Sequence, residues 1–274
     1  MLVIREVKIM DIIVCVKHVP DTAEAELTID ETGKDIRKTG LVFDINEWDN
    51  YAVEEALLLK EKYGGKITAI TIGPKEAEET LRKCIAKGVD EAIRLTDDLF
   101  KGSDGYTTAR ILCSAIKSLD LKYDLILTGA QAGDDGYAQV GVTLAELLGV
   151  QHVSLVKKIA EVKDDALKVH RELEGGLEEV VEVKKPVVLT IQTGINEPRY
   201  VSIAGVRKAA KKEIKVLGAA DIGLKAEDVG EAGSPTVLEK LFIPPVTKQA
   251  EILTGDVGEV SKKLVSILKE KGLI

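Results

Sequence analysis

The chain has 274 residues, of which 45% are apolar, 31% charged and 4% aromatic, and its formal net charge is −8. The apolar share excludes a disordered chain, and the negative charge argues against the basic surface of a nucleic-acid binder. No uninterrupted apolar stretch approaches the ~20 residues that a membrane span needs. The length predicts one large α/β domain with an extension, or two modest domains.

The first half of the chain alternates short β-branched runs with amphipathic segments. The β-branched runs predict strands at residues 12–16, 66–72, 91–96 and 123–129. The longer segments between them carry helical apolar stripes, the first of which ends at Gly64-Gly65. Parallel strands need crossovers of helical length, and these crossovers are right-handed. The pattern therefore predicts a doubly wound, mostly parallel α/β fold.

After Leu155 the apolar period changes from helical to alternating. The runs SLVKKIAEV, ALKVHRELE and EEVVEV are separated by two turn signals, which predicts an antiparallel meander closed by the apolar strand PVVLTIQ. From Thr193 the chain becomes irregular before a final helix, EVSKKLVSILKEKG. We divide it into a nucleotide-binding α/β domain over 10–192 and an arm over 193–274. Tails this long are uncommon on self-contained domains, so we expect the arm to dock on a partner subunit.

Two features predict a cytoplasmic protein. The three cysteines are scattered without a C-x-x-C pair, which indicates neither a disulfide framework nor a zinc site. The first ten residues lack the apolar core of a signal peptide, because Arg5, Glu6 and Lys8 interrupt it.

The most informative segment is TGAQAGDDGYAQVG (128–141), which leaves the fourth strand and enters a helix. If the strand order is 3-2-1-4-5, ligands bind where the order reverses, between the first and fourth strands. Gly129, Gly133 and Gly136 allow close approach of the backbone, and amides at the start of the helix, near 138–140, can hold a phosphate. The segment indicates a nucleotide site, with a simple chain reversal as the alternative.

Two acidic residues complicate that interpretation. Carboxylates at Asp134 and Asp135 would repel a phosphate, so they suit ribose hydroxyls or the helix cap better. Neither the G-x-G-x-x-G fingerprint nor a P-loop is present.

A second cluster, DINEWDNYAVEEA (44–56), opens a helix and contains the only tryptophan. Asn46 or Asp49 is the expected cap, and Trp48 is expected to pack into the core. Contiguous acids in a first helical turn usually complement the helix dipole, so we do not assign acid–base chemistry to them.

No pairing of nucleophile and base stands out, and His18, His152 and His170 are each interpreted as structural or solvent-facing. We therefore predict no catalytic side chain. A nucleotide pocket without one indicates that the chemistry belongs to a bound cofactor.

At this point several motifs, in the same order, resemble the β (small) subunit of electron transfer flavoprotein. They are VKHVPDT, DINEWDNYAVEEALLLKEK, TIGP, GAQAGDDGYAQVG, HRELEGGLEEV and PVVLTIQTGINEPRYVSIAGVRKAAKKEI. The resemblance runs from Asp11 to Ile274. It implies an adenine-nucleotide α-hydrolase-like sheet and an electron carrier rather than a substrate-specific enzyme.

In that family an α subunit holds most of the redox FAD, and the β subunit binds a structural AMP. The resemblance implies AMP-binding positions on the first, second and fourth strands and at the start of the first helix. They correspond here to Cys15, Asn46, Glu47, Trp48, Asp49, Ile72, Gly129, Ala130, Gln131, Ala132, Gly133, Asp134, Asp135, Gly136, Tyr137, Ala138, Gln139 and Val140.

The resemblance also implies protein partners, namely the α subunit in a heterodimer and flavin-containing dehydrogenases. The family's recognition loop, which docks on dehydrogenases, has Ile203 at its anchor position. The loop corresponds to Asn196, Glu197, Pro198, Arg199, Tyr200, Val201, Ser202, Ile203 and Ala204. Glu172 matches a glutamate near the partner contact.

Two alternatives stay open. Some family members bind a second FAD instead of AMP and bifurcate electrons; the run after Asp135 resembles theirs, but Tyr137 and Val142 depart from it. The other alternative is a stand-alone nucleotide-binding stress protein, whose glycine-serine phosphate loop is absent here.

Overall fold

The computed structural model describes residues 9–22, 25–245 and 250–274. Its strands are β1 (Ile12–Cys15), β2 (His18–Pro20), β3 (Phe43–Ile45), β4 (Ile67–Ile72), β5 (Glu91–Leu95), β6 (Leu125–Gly129), β7 (Gln151–Val162), β8 (Ala166–Glu172), β9 (Glu178–Lys184), β10 (Val187–Ile191) and β11 (Lys215–Leu217). Its helices are α1 (Glu47–Tyr63), α2 (Glu78–Lys87), α3 (Gly105–Ser118), α4 (Val140–Leu148), α5 (Ile203–Lys211), α6 (Gly230–Gly233) and α7 (Val257–Glu270).

The main sheet has the order β11-β5-β4-β1-β6-β10-β7-β8-β9. Its central strands, β5-β4-β1-β6-β10, have the 3-2-1-4-5 arrangement that the argument for the ligand site assumed, and they pair in parallel. The doubly wound, mostly parallel α/β fold is therefore confirmed. The order reverses between β1 and β6, as the argument for the ligand site requires.

The antiparallel meander is also present, because β8 pairs with both β7 and β9 in antiparallel register. The expectation that PVVLTIQ closes this meander is wrong, because the strand it forms, β10, lies between β6 and β7 and runs parallel to both. β7 leaves the parallel sheet at an irregularity where Leu155 has φ of +59°. Bulges of this kind bend a strand and increase its twist.

The sheet separates two apolar layers. Ile12 and Val14 face the layer that contains the buried side of α1, whereas Ile13 and Cys15 face the layer that contains α3. This alternation along β1 follows from the two-residue period of a strand that is buried on both faces.

The structure fixes the starts of two helices. α1 begins at Glu47, directly after Asn46, and α4 begins at Val140, at the end of the expected range 138–140. β2 and β3 form a separate antiparallel ribbon that the sequence did not predict. Its strands have only three residues each, too few for an apolar period to be read.

The first part of the arm joins the main fold. β11 adds a parallel edge strand beside β5, and Ala219, Ile222, Leu224 and Val229 are buried in the same layer as α3. A boundary between two units at residue 193 stays a prediction.

The last part of the chain is different, since no described residue from 235 to 274 is buried. We call residues 235–274 the C-terminal arm. Its helix α7 matches the predicted final helix and is capped by Asp256, which accepts hydrogen bonds from the amides of Gly258 and Glu259. Within the described ranges, no helix combines the length and apolar character that a membrane crossing requires.

Candidate functional site

A cleft opens where β1 and β6 stop pairing. Their register ends at Val14 and Leu127. Beyond it the Val16 amide donates to Ile70 of β4, while the Ala130 amide donates to Ile191 of β10. The segments that follow β1 and β6 thus diverge. We call them the β1 lip (residues 16–17) and the β6 lip (residues 129–133).

Asp49 bridges the two lips from below. Its Oδ2 accepts a hydrogen bond from the Lys17 amide at 2.7 Å, and its Oδ1 accepts one from the Gly129 amide at 2.9 Å. Burial raises the pKa of Asp49 to about 7, although these backbone amides act in the opposite direction. A β-carbon on Gly129 would lie 2.4 Å from Oδ1, so the bridge requires glycine there.

Asn46 makes a second bridge. Its amide donates to the Lys17 carbonyl at 2.9 Å, its Nδ2 donates to the Gln131 carbonyl at 2.8 Å, and its Oδ1 accepts from the Gly133 amide at 3.0 Å. Asn46 occupies the N-cap position of α1 but makes no side-chain cap. Asn46 is thus the N-cap residue, one of the two expected, but its side chain bonds to the β6 lip instead of to the first-turn amides of α1.

Lys17 forms ion pairs with both acids of the loop and offsets one of their two negative charges. Its Nζ lies 2.7 Å from Asp134 Oδ1 and 2.7 Å from Asp135 Oδ2. Neither acid caps α4, whose N-cap is Gln139, so that part of the expectation is wrong. Lys17 was missed by the sequence analysis. The available signal was a lysine directly after a buried strand at the reversal, opposite a loop with two acids.

The loop between β6 and α4 is exposed and turns through left-handed backbone. Gly136 and Ala138 have φ of +64° and +53°. α4 then begins without a side-chain cap on its first-turn amides. It packs closely on the sheet at Gly141, where a β-carbon would lie 2.5 Å from Thr128 Oγ1. The start of α4 therefore lies over the ends of β6 and β10.

The other predicted nucleotide-binding residues lie around this cleft or at the bottom of it. Cys15 and Ile72 end β1 and β4 on the face of α3. Burial, with a smaller contribution from Asp49, raises the pKa of the Cys15 thiol to about 12, which keeps it protonated. Glu47 is exposed, and Trp48 is half-buried rather than enclosed in the core. The structure thus brings the predicted residues together; their contact with a nucleotide stays a prediction.

A polar chain leads from α1 to the meander. Trp48 Nε1 donates to Gln192 Oε1 at 2.8 Å, and Gln192 Nε2 donates to Glu172 Oε2 at 3.0 Å. Glu172 is therefore oriented from the end of β10. The sequence analysis did not identify Gln192, because its partners are 144 and 20 residues away.

The predicted recognition loop lies along α1 and runs into α5. Asn196 Nδ2 donates to the Tyr51 carbonyl and to Glu55, and Arg199 pairs with Glu54 and Glu61. These two loop residues face the protein itself.

Other residues of the loop point outward. Tyr200 is 98% exposed and Ile203 is 76% exposed, while Ser202 caps α5 by accepting from the Gly205 amide. A groove of about 680 Å³ between α2 and α5, lined in part by Val201 and Val206, runs beside them. The loop therefore presents apolar side chains on a fixed backbone.

The fold and the cleft together define a doubly wound α/β protein whose cleft lies at the reversal of strand order, between β1 and β6. The electron transfer flavoprotein domain matches residues 36–222. An electron transfer flavoprotein subunit β of Methylophilus methylotrophus is 38% identical over 95% of this chain and 98% of its own length. One from Thermoanaerobacterium thermosaccharolyticum is 42% identical over 97% of this chain and 100% of its own. The caffeyl-CoA reductase-Etf complex subunit CarD of Acetobacterium woodii is 41% identical over the same shares.

The chain belongs to the electron transfer flavoprotein β-subunit family. These alignments extend through the C-terminal arm, which the stress-protein alternative leaves unexplained.

Proposed function

We propose that this chain is the β subunit of a heterodimeric electron transfer flavoprotein, with AMP in its own cleft and FAD held mainly by an α subunit. Such a complex carries electrons from a dehydrogenase to an acceptor. Family membership supports the class of function, and the curated names of full-length relatives support the pairing with an α subunit.

The observation that carries the heterodimer is the C-terminal arm. No described residue in it is buried, although the arm contains large apolar side chains. Four of them are each at least 67% exposed: Phe242, Ile243, Ile252 and Val257. A monomer gains little by exposing that much apolar side chain along one segment, whereas a partner surface would bury it. The arm therefore supports docking on the α subunit.

Two features of the cleft support an adenylate as its ligand. The first-turn amides of α4 carry no side-chain cap, and the positive end of a helix dipole favours a phosphate there. Lys17 offsets one of the two negative charges of Asp134 and Asp135, which weakens the objection that these acids repel a phosphate. Gln139 and Val140 would hold the phosphate through their backbone amides.

FAD supplies the redox chemistry when it is bound, and this chain's contribution is to shape its surroundings and to dock partners. We propose that Ile203 and its neighbours in the recognition loop contact the dehydrogenase, and that Glu172 lies near the α subunit. Both are presented at the surface by hydrogen bonds within the chain.

The test is to coexpress the chain with the α subunit of the same organism and to measure the mass of the complex by light scattering. Mass spectrometry then identifies the nucleotides that denaturation releases. One αβ heterodimer with one AMP and one FAD is expected. Two FAD would replace the AMP assignment by a bifurcating flavoprotein, and a stable monomer that ignores the α subunit would overturn the heterodimer.

A further inference from the structure

The first turn of α1 fastens both lips of the cleft. Asp49 bonds to both lips through its carboxylate, whereas Asn46 bonds to the β6 lip through its side chain and to the β1 lip through its backbone amide. Both residues are buried, with 1% and 6% of their surface exposed. A ligand that enters the cleft from solvent therefore meets almost none of their side-chain surface.

We infer that Asn46 and Asp49, which we call the clasp, are positioning residues that hold the two lips at the spacing a nucleotide needs. Their side chains do not contact the nucleotide. This inference rests on the proposed function, since it assumes that an adenine nucleotide occupies the cleft. It reassigns two of the predicted nucleotide-binding residues to a role beneath the binding surface.

The close approach at Gly129 supports the clasp. Its nearest neighbours for an added β-carbon are Asp49 Oδ1 at 2.4 Å and Trp48 Cβ at 2.7 Å, both on α1. The missing side chain at Gly129 thus makes room for residues of α1, and not for a ligand. A carboxylate that accepts two amide hydrogen bonds from separate strands fixes their distance, because both oxygens belong to one rigid group.

The chemistry of Asp49 points the same way. Burial disfavours its ionised form, so the carboxylate lowers the stability of the fold unless its bonds compensate. The two amides that it holds lie just beyond the carboxyl ends of β1 and β6, where these strands stop pairing. A neutral amide side chain of the same shape would accept from one of them and place an NH₂ group against the other.

The test uses the αβ complex after removal of bound nucleotide, with AMP as the titrant in calorimetry. In Asp49→Asn one of the two bridges to the lips is lost, and AMP should bind about tenfold more weakly or worse.

The matched control is Asp124→Asn. Asp124 Oδ2 accepts from the Asp11 amide at 3.1 Å, which links the same two strands at the opposite edge of the sheet. That variant should lose a comparable amount of thermal stability while AMP affinity stays within about twofold of wild type.

Each outcome decides the inference. AMP affinity at the wild-type level in Asp49→Asn, or equal losses of affinity in Asp49→Asn and Asp124→Asn, would overturn the clasp and leave the proposed function standing. A wild-type complex that binds no adenine nucleotide would overturn both. If Asp49→Asn does not fold, Asn46→Ala is measured in the same way, and wild-type affinity there would overturn the inference.

Discussion

Arg199 and Glu54 form an ion pair that fixes the recognition loop on α1. Arg199 Nη2 lies 2.8 Å from Glu54 Oε1, and the Arg199 backbone amide donates to Glu54 Oε2 at 2.9 Å. The side chain of Glu54 is only 4% exposed. One carboxylate thus orients both the side chain and the backbone at the position just before the exposed Tyr200.

Removing this arginine should be costly. Arg199→Ala leaves the buried Glu54 carboxylate without its cation, so we expect a loss of about 3 kcal/mol in the free energy of unfolding. Urea unfolding of the complex measures this loss. Arg37→Ala is the control, because the Arg37–Glu31 pair is exposed and should contribute less than about 1 kcal/mol. Similar losses in both variants would contradict the role of Glu54 as a buried anchor.

The exposed anchor of the loop should affect docking and not stability. Ile203→Ala removes an apolar side chain that is 76% exposed, so the melting temperature of the complex and the flavin spectrum should stay unchanged. If Ile203 fills a pocket on the dehydrogenase, the loss is ~2 kcal/mol, or roughly a thirtyfold rise in the apparent KM for the flavoprotein.

Val42→Ala is a control for that experiment, since Val42 is 70% exposed and lies outside the recognition loop. It should leave the apparent KM unchanged. A lowered melting temperature with normal transfer kinetics in Ile203→Ala would show instead that Ile203 serves the fold.

Gly136 should be necessary for nucleotide binding. Its φ is +64°, which a β-branched side chain adopts only with strain, and no atom within 4 Å would oppose a β-carbon. Gly136→Val should therefore distort the loop before α4 and reduce the nucleotide that copurifies with the complex. Mass spectrometry of the released nucleotide measures that content.

Gly149 provides the matched control at the other end of α4, with φ of +70° and equally open surroundings. Gly149→Val carries a similar backbone strain of about 1–2 kcal/mol, but it should retain its nucleotide. Full occupancy in Gly136→Val would count against the placement of the site.

The charge of Asp49 should make stability depend on pH. Its pKa is about 7 in the folded chain against 3.8 when unperturbed, so the folded state holds a proton that the unfolded state has released within this window. The contribution of Asp49 to stability is therefore fully present below about pH 4 and is lost as the pH rises through about 7.

Asp49→Asn lacks this titration. The free energy of unfolding of the nucleotide-free variant, minus that of wild type, should rise between pH 4 and pH 7 and level off above. Denaturant unfolding at a series of pH values measures this difference. A difference that stays constant with pH would refute the raised pKa.

The sequence by itself determined the doubly wound sheet and the meander. These features follow from local periods: four β-branched runs with helical segments between them, then alternation interrupted by two turn signals. The rules for crossover length and handedness leave few topologies, and under the assumed order 3-2-1-4-5 the reversal falls between β1 and β6. The tertiary structure established that order. The motifs also identified the family, since residue identity in a fixed order needs no folding to be recognised.

Tertiary structure alone decided what the individual side chains do. Asn46 and Asp49 read as helix caps in the sequence, because a polar residue before an apolar stripe is a local signal. In the structure they bond to residues more than 80 positions away, on the β6 lip. The same holds for Lys17 with Asp134 and for Arg199 with Glu54. Such pairs depend on where the sheet brings α1 and the loops together in space, and that information is absent from any local window of the chain.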